Sequence, residues 1–443
     1  MKAILFFLLI ILSSCSTTEK ILPGFLDIVP DFIENYFKGE VKPYSDLPSF
    51  NSKVNIKVIW EKKLPGEIKE LYSFLSIYKL SDEIFIPTNE KTIYIVNSET
   101  GDINKKLEVK LDIFSGLIAD TSLLYFGSKE DTVTAINYSN EAVLWQRLMS
   151  SEVLSISKVE NNTIYVRTND SKITAINVDT GEFLWINSQI PSELSIRGAS
   201  SPLLYEDKVF VGFEEGKIVA YNASNGDITW QAQLPAIETE TIIDRLNDID
   251  GSMIIEDSIL YAISYQGSIA AIDTYSGQIL WSRQASSING IDIFDNNIVF
   301  IDDEGILWCL DKFSGKPAWK QEKFYKRLVG SPIYFNSYII TNDIENYLHV
   351  FDYRDGKTVG RLNMSNSAQS IFSDYDALYL LDKDFVIKKY EITEIVENTE
   401  NTENTENTEN TENTENTENT ENTENTENTE NTENTENTEN IEE

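Results

Sequence analysis

The chain has 443 residues, of which 73 are acidic and 36 basic, for a formal net charge of −37. That balance, with no Lys/Arg-rich run anywhere, argues against nucleic acid as a partner. A single histidine, His349, and two cysteines, Cys15 and Cys309, argue against a His-based metal centre and against a Ser-His-Asp triad.

The chain opens with Lys2 and an apolar run from Ala3 to Leu12, too short to span a membrane as a helix. It ends in Leu12-Ser13-Ser14-Cys15, which resembles a bacterial lipobox. Residues 1–14 are therefore read as a lipoprotein signal peptide, with the Cys15 thiol acylated and first in the mature chain. By resemblance to enterobacterial sorting, Ser16 in place of an aspartate favours the outer membrane, where each buried acyl methylene adds roughly 0.8 kcal/mol of anchoring. Residues 15–53 then serve as lipid anchor and irregular tether, punctuated by Pro23, Pro30, Pro43 and Pro48. Within it, Phe25 to Phe37 has near-helical apolar spacing and could form a short amphipathic helix. With Cys15 lipidated, Cys309 has no disulfide partner within the chain.

From residue 54 to 392 one pattern recurs with a period near 40 residues, the mark of a solenoid or propeller. Each copy holds β-branched and small residues in alternation, then Asp or Asn, then Gly, then a strand with tryptophan. The alternation predicts strands with one buried face; the Asx-to-Gly stretch predicts a hairpin turn. The marker positions are Trp60, Lys105, Trp145, Trp185, Trp230, Trp281, Trp319 and Gly360. Eight markers, all but the first preceded by room for three more strands, predict an all-β, eight-bladed propeller of four-stranded blades. Val54 to Lys62 lacks its three partners, and Ala368 to Ile392 lacks a closing strand, so the two termini complete one blade. An open solenoid would leave both ends bare.

Beyond the repeats, Asn398 to Glu439 is pure Asn-Thr-Glu. That repeat cannot bury apolar surface, and residues 393–443 are expected to be disordered. Residues 391–443 carry 19 acidic side chains and no basic ones, which leaves 54 against 36 and a net of −18 for the rest.

The repeats resemble the quinoprotein type, named for enzymes that hold pyrroloquinoline quinone. Such an enzyme needs a carboxylate base in its channel and often a vicinal cysteine pair. Here Cys309 is alone, the aspartates are turn formers, and His349 between Leu348 and Val350 reads as a structural strand residue. No cofactor and no metal are expected, and no catalytic residue is assigned. Two stretches break the repeat, Leu194 to Pro202 and Ile243 to Gly251, in the links after Trp185 and Trp230. Links on consecutive blades sit side by side and carry function. With the lipobox and the blade count, these two segments resemble the BamB family of β-barrel assembly lipoproteins. That family has a Leu-Ser-Leu-Arg-Gly-like segment followed by Asp-Arg-Leu-x-Asp-x-Asp; here Ile196 replaces a leucine.

The resemblance implies a non-catalytic scaffold, anchored at the periplasmic face of the outer membrane and docked on the periplasmic domains of BamA beside other Bam subunits. The contacts it implies are Leu194, Ile196 and Arg197 in the first segment and Asp248 and Asp250 in the second. Arg197 could instead pair with an aspartate to hold the loops, as could Asp244 with Arg245. Ser200, Ser201 and Pro202 are expected to start the next blade. Unfolded outer-membrane proteins could also add strands to exposed blade edges. The alternative is a periplasmic propeller holding a small ligand or quinone in its central channel.

Overall fold

The Asx-to-Gly stretches fold as tight turns held by the Asx side chain. In the first, Asn97 Oδ1 accepts the N–H groups of Glu99 and Thr100, each at 2.9 Å, and Gly101 N–H returns to Asn97 O at 2.9 Å. The computed structural model describes residues 43–66, 77–88, 90–192, 200–236, 247–374 and 377–395. Among these, 32 strands form eight antiparallel four-stranded sheets. Blades 1 to 7 take residues 78–108, 113–148, 153–188, 203–233, 254–285, 292–321 and 333–363. Blade 8 takes 368–394 and gains Val54–Lys63 as its outer strand. That strand pairs from Val54 opposite Glu394 to Lys63 opposite Val386, which closes the ring.

The apolar residues collect between blades, in eight clusters that correspond to the eight junctions, the one between blades 8 and 1 included. Strand burial therefore differs from the one-faced alternation expected. Middle strands such as Thr163–Thr168 are buried at every residue, because a neighbouring blade covers each face. Alternation survives on outer strands such as Phe183–Ser188.

All eight marker positions lie on outer strands. Each indole packs in the junction with the following blade and caps that blade's turn. Trp185 Nε1 donates to Ala223 O at 2.8 Å, and its ring lies on Gly226, where a Cβ would come within 2.5 Å of Cε3. The same pairing joins Trp60 to Gly101, Trp145 to Gly181, Trp230 to Gly277, Trp281 to Gly315 and Trp319 to Gly356. The two exceptions obey the same logic. Lys105 has no indole, and the turn it faces has Glu141 where the others have glycine; the two form an ion pair at 3.0 Å. Gly360 faces the blade whose outer strand comes from the other terminus, and a Cβ there would meet Val54 Cγ2 at 2.4 Å.

Glu141 keeps the left-handed backbone of the missing glycine, at φ 64°. For a residue with a Cβ this conformation costs roughly 1–2 kcal/mol. Lys105→Trp combined with Glu141→Gly should therefore raise stability by about 1 kcal/mol. Lys105→Trp alone should lower it, since the side chain at 141 stands where the indole must lie. Urea unfolding of the three variants reads the difference.

Candidate functional site

The turns that join second to third strands all lie on one face of the ring, by the topology of antiparallel blades. On this face, blades 3, 4 and 5 are tied together by polar groups. Arg167 is the penultimate residue of the second strand of blade 3 (Thr163–Thr168), is 1% exposed, and places its guanidinium 5.1 Å from the centre of the Phe213 ring. Its Nη2 donates to Glu214 Oε1 at 2.7 Å, while Ser171 Oγ donates to Glu214 Oε2 at 3.1 Å. Glu214–Gly216 is the 3-10 turn between the second and third strands of blade 4.

The next residue extends the chain of contacts. Glu215 N–H donates to Asp248 Oδ1 at 3.3 Å, and Asp248 O accepts Tyr265 N–H of blade 5 at 3.0 Å. Ile249 N–H reaches Phe213 O at 3.4 Å, and Ser200 N–H reaches Ile249 O at 3.5 Å. The two segments that interrupt the repeat therefore meet at Ser200 and Ile249. Asn247 is gripped from both sides, with Gly216 and Gly267 too close to it for any side chain of their own. Ser200 itself is buried ahead of the first strand of blade 4, which begins at Leu203.

Asp248 is buried among these contacts, whereas Asp250 is half-buried. The Asp250 carboxyl is pushed up to about 7, first by burial and then by the Asp248 carboxylate; Arg167 opposes and Glu214 adds to the shift. Among the described residues, eight buried side-chain polar atoms have no hydrogen-bond partner. Six of them belong to Arg167, Ser200, Asn247, Asp250 and Gln266, so the deficit is concentrated on this one face. Buried polar groups are ordinarily satisfied, and each omission costs about 1–3 kcal/mol.

Leu194, Ile196 and Arg197 lie outside the described residues, as do Asp244, Arg245, Cys15, the Phe25–Phe37 stretch and the Asn-Thr-Glu repeats. Cys309 sits in the third strand of blade 6 across from Trp319, where burial raises its thiol to about 12. His349 is fully buried in the third strand of blade 7. A cavity of about 340 Å³ beside the inner strand of blade 8 is lined by the neutral side chains of Asn289, Ser331, Asn342 and Gln369.

Relatives share this architecture. A family model described as "Outer membrane protein assembly factor BamB" matches residues 89–321, just over half of the chain. The chain belongs to the BamB family. A relative of that name from Salmonella typhimurium is 32% identical over 364 residues, covering 79% of this chain and 92% of the relative. The crystal structure of BamB from Moraxella catarrhalis superimposes with a TM-score of 0.68 at 20% identity, covering 76% of this chain and all of that one. A quinohemoprotein alcohol dehydrogenase from Pseudomonas putida shares the fold more distantly, with a TM-score of 0.57 at 10% identity and 76% coverage of both chains. The family is one of outer-membrane protein assembly factors, and its propeller fold is shared with quinone-dependent enzymes.

Reading the sequence missed Arg167, Glu214 and Asn247. For Arg167 a signal was present. At its rung, opposite the first core residue of the third strand, the other seven blades carry Pro87, Gly127, Gly212, Ile263, Ile301, Asn342 and Leu381. An arginine in that series is the one charged member.

Proposed function

We propose that this chain is a non-catalytic scaffold, held by an acylated Cys15 at the periplasmic face of the outer membrane, which docks on a BamA-type barrel-assembly protein. The docking residues are Leu194, Ile196 and Arg197 together with Asp248 and Asp250, and other Bam subunits share the assembly. The observation that carries this reading is the state of Asp250. A half-buried carboxylate with an unpartnered oxygen is unfavourable in the isolated chain, and a cationic side chain of a partner would relieve it. Asp248, stitched to blades 4 and 5, holds the segment in place, so that Asp250 is presented on a rigid support.

The test compares wild type with Arg197→Glu and with an Asp248→Ala/Asp250→Ala double variant in detergent extracts. A large outer-membrane barrel protein should co-purify with wild type and fall at least tenfold with either variant, truncation of buried interfacial charges costing about 2–5 kcal/mol. Equal recovery with every folded variant would move the docking site elsewhere. Absence of any barrel protein with wild type would remove the scaffold reading and leave the channel as the site to probe.

A further inference from the structure

Residues 43–53, expected as irregular tether, have no regular secondary structure but are pinned along blade 7 and the link before it. Ser45 N–H donates to Tyr325 O at 3.0 Å and Ser45 Oγ to Lys323 O at 2.9 Å. Ser45 O in turn accepts Arg327 Nη1 at 2.8 Å. Tyr44 lies 5.1 Å from the Arg327 guanidinium, and its hydroxyl donates to Glu345 Oε1 at 3.0 Å. Further along, Pro48 O accepts Arg361 Nη2 at 2.8 Å, and the Phe50 ring sits 4.8 Å from that guanidinium. Lys53 N–H closes the run on Val359 O at 2.8 Å.

The two arginines are themselves locked. Arg327, fully buried, donates Nε and Nη2 to Asp343 Oδ2 at 3.1 and 2.8 Å, and Nη2 also to Glu345 Oε2 at 2.6 Å. His349 Nε2 donates to the same Asp343 oxygen at 2.9 Å, and its Nδ1 accepts Arg361 Nε at 3.4 Å. Burial, only partly offset by Asp343, keeps the imidazole below its usual range and therefore neutral, as this donor-and-acceptor role requires. A knot of this kind is a poor source of net stability, yet it fixes geometry closely because every member is satisfied.

The position of the knot matters. Asp343 to Asn346 joins the second and third strands of blade 7, so Tyr44 stands on the same face as Glu214–Gly216. From there the strap crosses the outer edge to Val359, at the start of the outer strand, and feeds the closing strand at Val54. Blade 7 is four places from blade 3, the widest separation that an eight-bladed ring allows.

We infer that residues 43–53 are a latch that makes the chain enter the propeller on its docking face, so that whatever precedes residue 43 joins the ring from the side that carries the Asp248–Asp250 segment. The inference rests on the scaffold reading for its purpose and on the strap contacts for its existence, and the two are tested separately. Hydrogen–deuterium exchange of the full-length protein reads the latch. The Ser45 and Lys53 amides should be protected in wild type and exchange at least tenfold faster in Tyr44→Ala/Phe50→Ala, which alters the strap alone. Strands Tyr338–Asn342 and Tyr347–Asp352 should stay protected in both. Unprotected Ser45 and Lys53 in wild type would overturn the latch.

Its purpose is read by cross-linking to the barrel protein in intact membranes, beside co-purification in detergent. The latch variant should lose cross-linking several-fold and keep detergent binding. Loss of both would make the strap part of the docking surface, and loss of neither would show that bearing is irrelevant; each overturns the proposed role. Failure of wild type to bind any barrel protein would instead count against the scaffold reading, with exchange still deciding whether the latch exists.

Discussion

Replacing Trp185 by alanine is expected to lower the unfolding free energy by about 4 kcal/mol, in the range for large aromatic truncations in cores. The indole is 8% exposed, lies between Tyr165 and Tyr221 at ring-centre distances of 5.8 and 6.0 Å, and donates to Ala223 O. Its removal opens the junction between blades 3 and 4 and leaves that carbonyl unpaired. Gly226→Ala attacks the same junction from the other side, through a Cβ 2.5 Å from the ring and a backbone at φ 76°. We expect it to cost about 3 kcal/mol, of which roughly 1–2 is the left-handed conformation and the rest overpacking. The overpacking disappears when the indole is gone. In the Trp185→Ala background, Gly226→Ala should therefore cost only about 1 kcal/mol, a coupling typical of residues in contact. Urea unfolding of the four proteins measures it, and strict additivity would mean that the indole does not rest on the glycine.

The fold was legible because the propeller repeats its own chemistry. The glycine of each copy serves the junction before its blade and the tryptophan the junction after it, and their spacing counted the blades. Even the irregular copies were informative, since Lys105 and Gly360 held their places in the count. What local pattern could not convey was the partner of each indole. Trp185 contacts Gly226 of the next copy rather than Gly181 of its own turn, and the stacking of successive blades places it there. One-sided strand burial was misjudged for the same reason, because a strand such as Thr163–Thr168 is covered by a blade from elsewhere in the chain.

The site was partly legible. The two interrupting segments do come together, at Ser200 and Ile249, and the carboxylates at 248 and 250 occupy that join. Their division of labour was not readable, because it depends on backbone donors. Asp248 is engaged by the N–H of Glu215, a residue from a turn 33 positions away. Residues 43–53, expected as irregular tether, are irregular in backbone, but their contacts with the propeller were not readable from a proline-rich, aperiodic stretch. Arg327, Asp343, His349 and Arg361 fall in blade 7 or the link before it, and nothing in their order announces that they converge on Tyr44 and Phe50.

Asp250→Asn should make the isolated protein more stable while weakening its hold on the partner. In the unfolded chain the carboxyl titrates at about 3.9; in the fold it titrates at about 7. Between these values the folded state binds the additional proton, so stability falls as pH rises through that window and the full penalty is present above it. A displacement of this size corresponds to about 4 kcal/mol. Asparagine occupies the same volume without a charge, and after relaxation we expect about half of that energy to be recovered, roughly 2 kcal/mol at pH 8. The difference should shrink to about half a kcal/mol near pH 4, where the folded aspartate is neutral and the unfolded one is about half ionised. Urea midpoints of the two proteins at pH 4, 6 and 8 test the sign as well as the size. A variant less stable than wild type at pH 8 would mean that the carboxylate is satisfied within the chain. There would then be no unmet charge to attract a partner, and the case for Asp250 as a docking residue would fall. The expected result, greater stability with reduced co-purification of the barrel protein, is the signature of a group retained for binding at the expense of the fold.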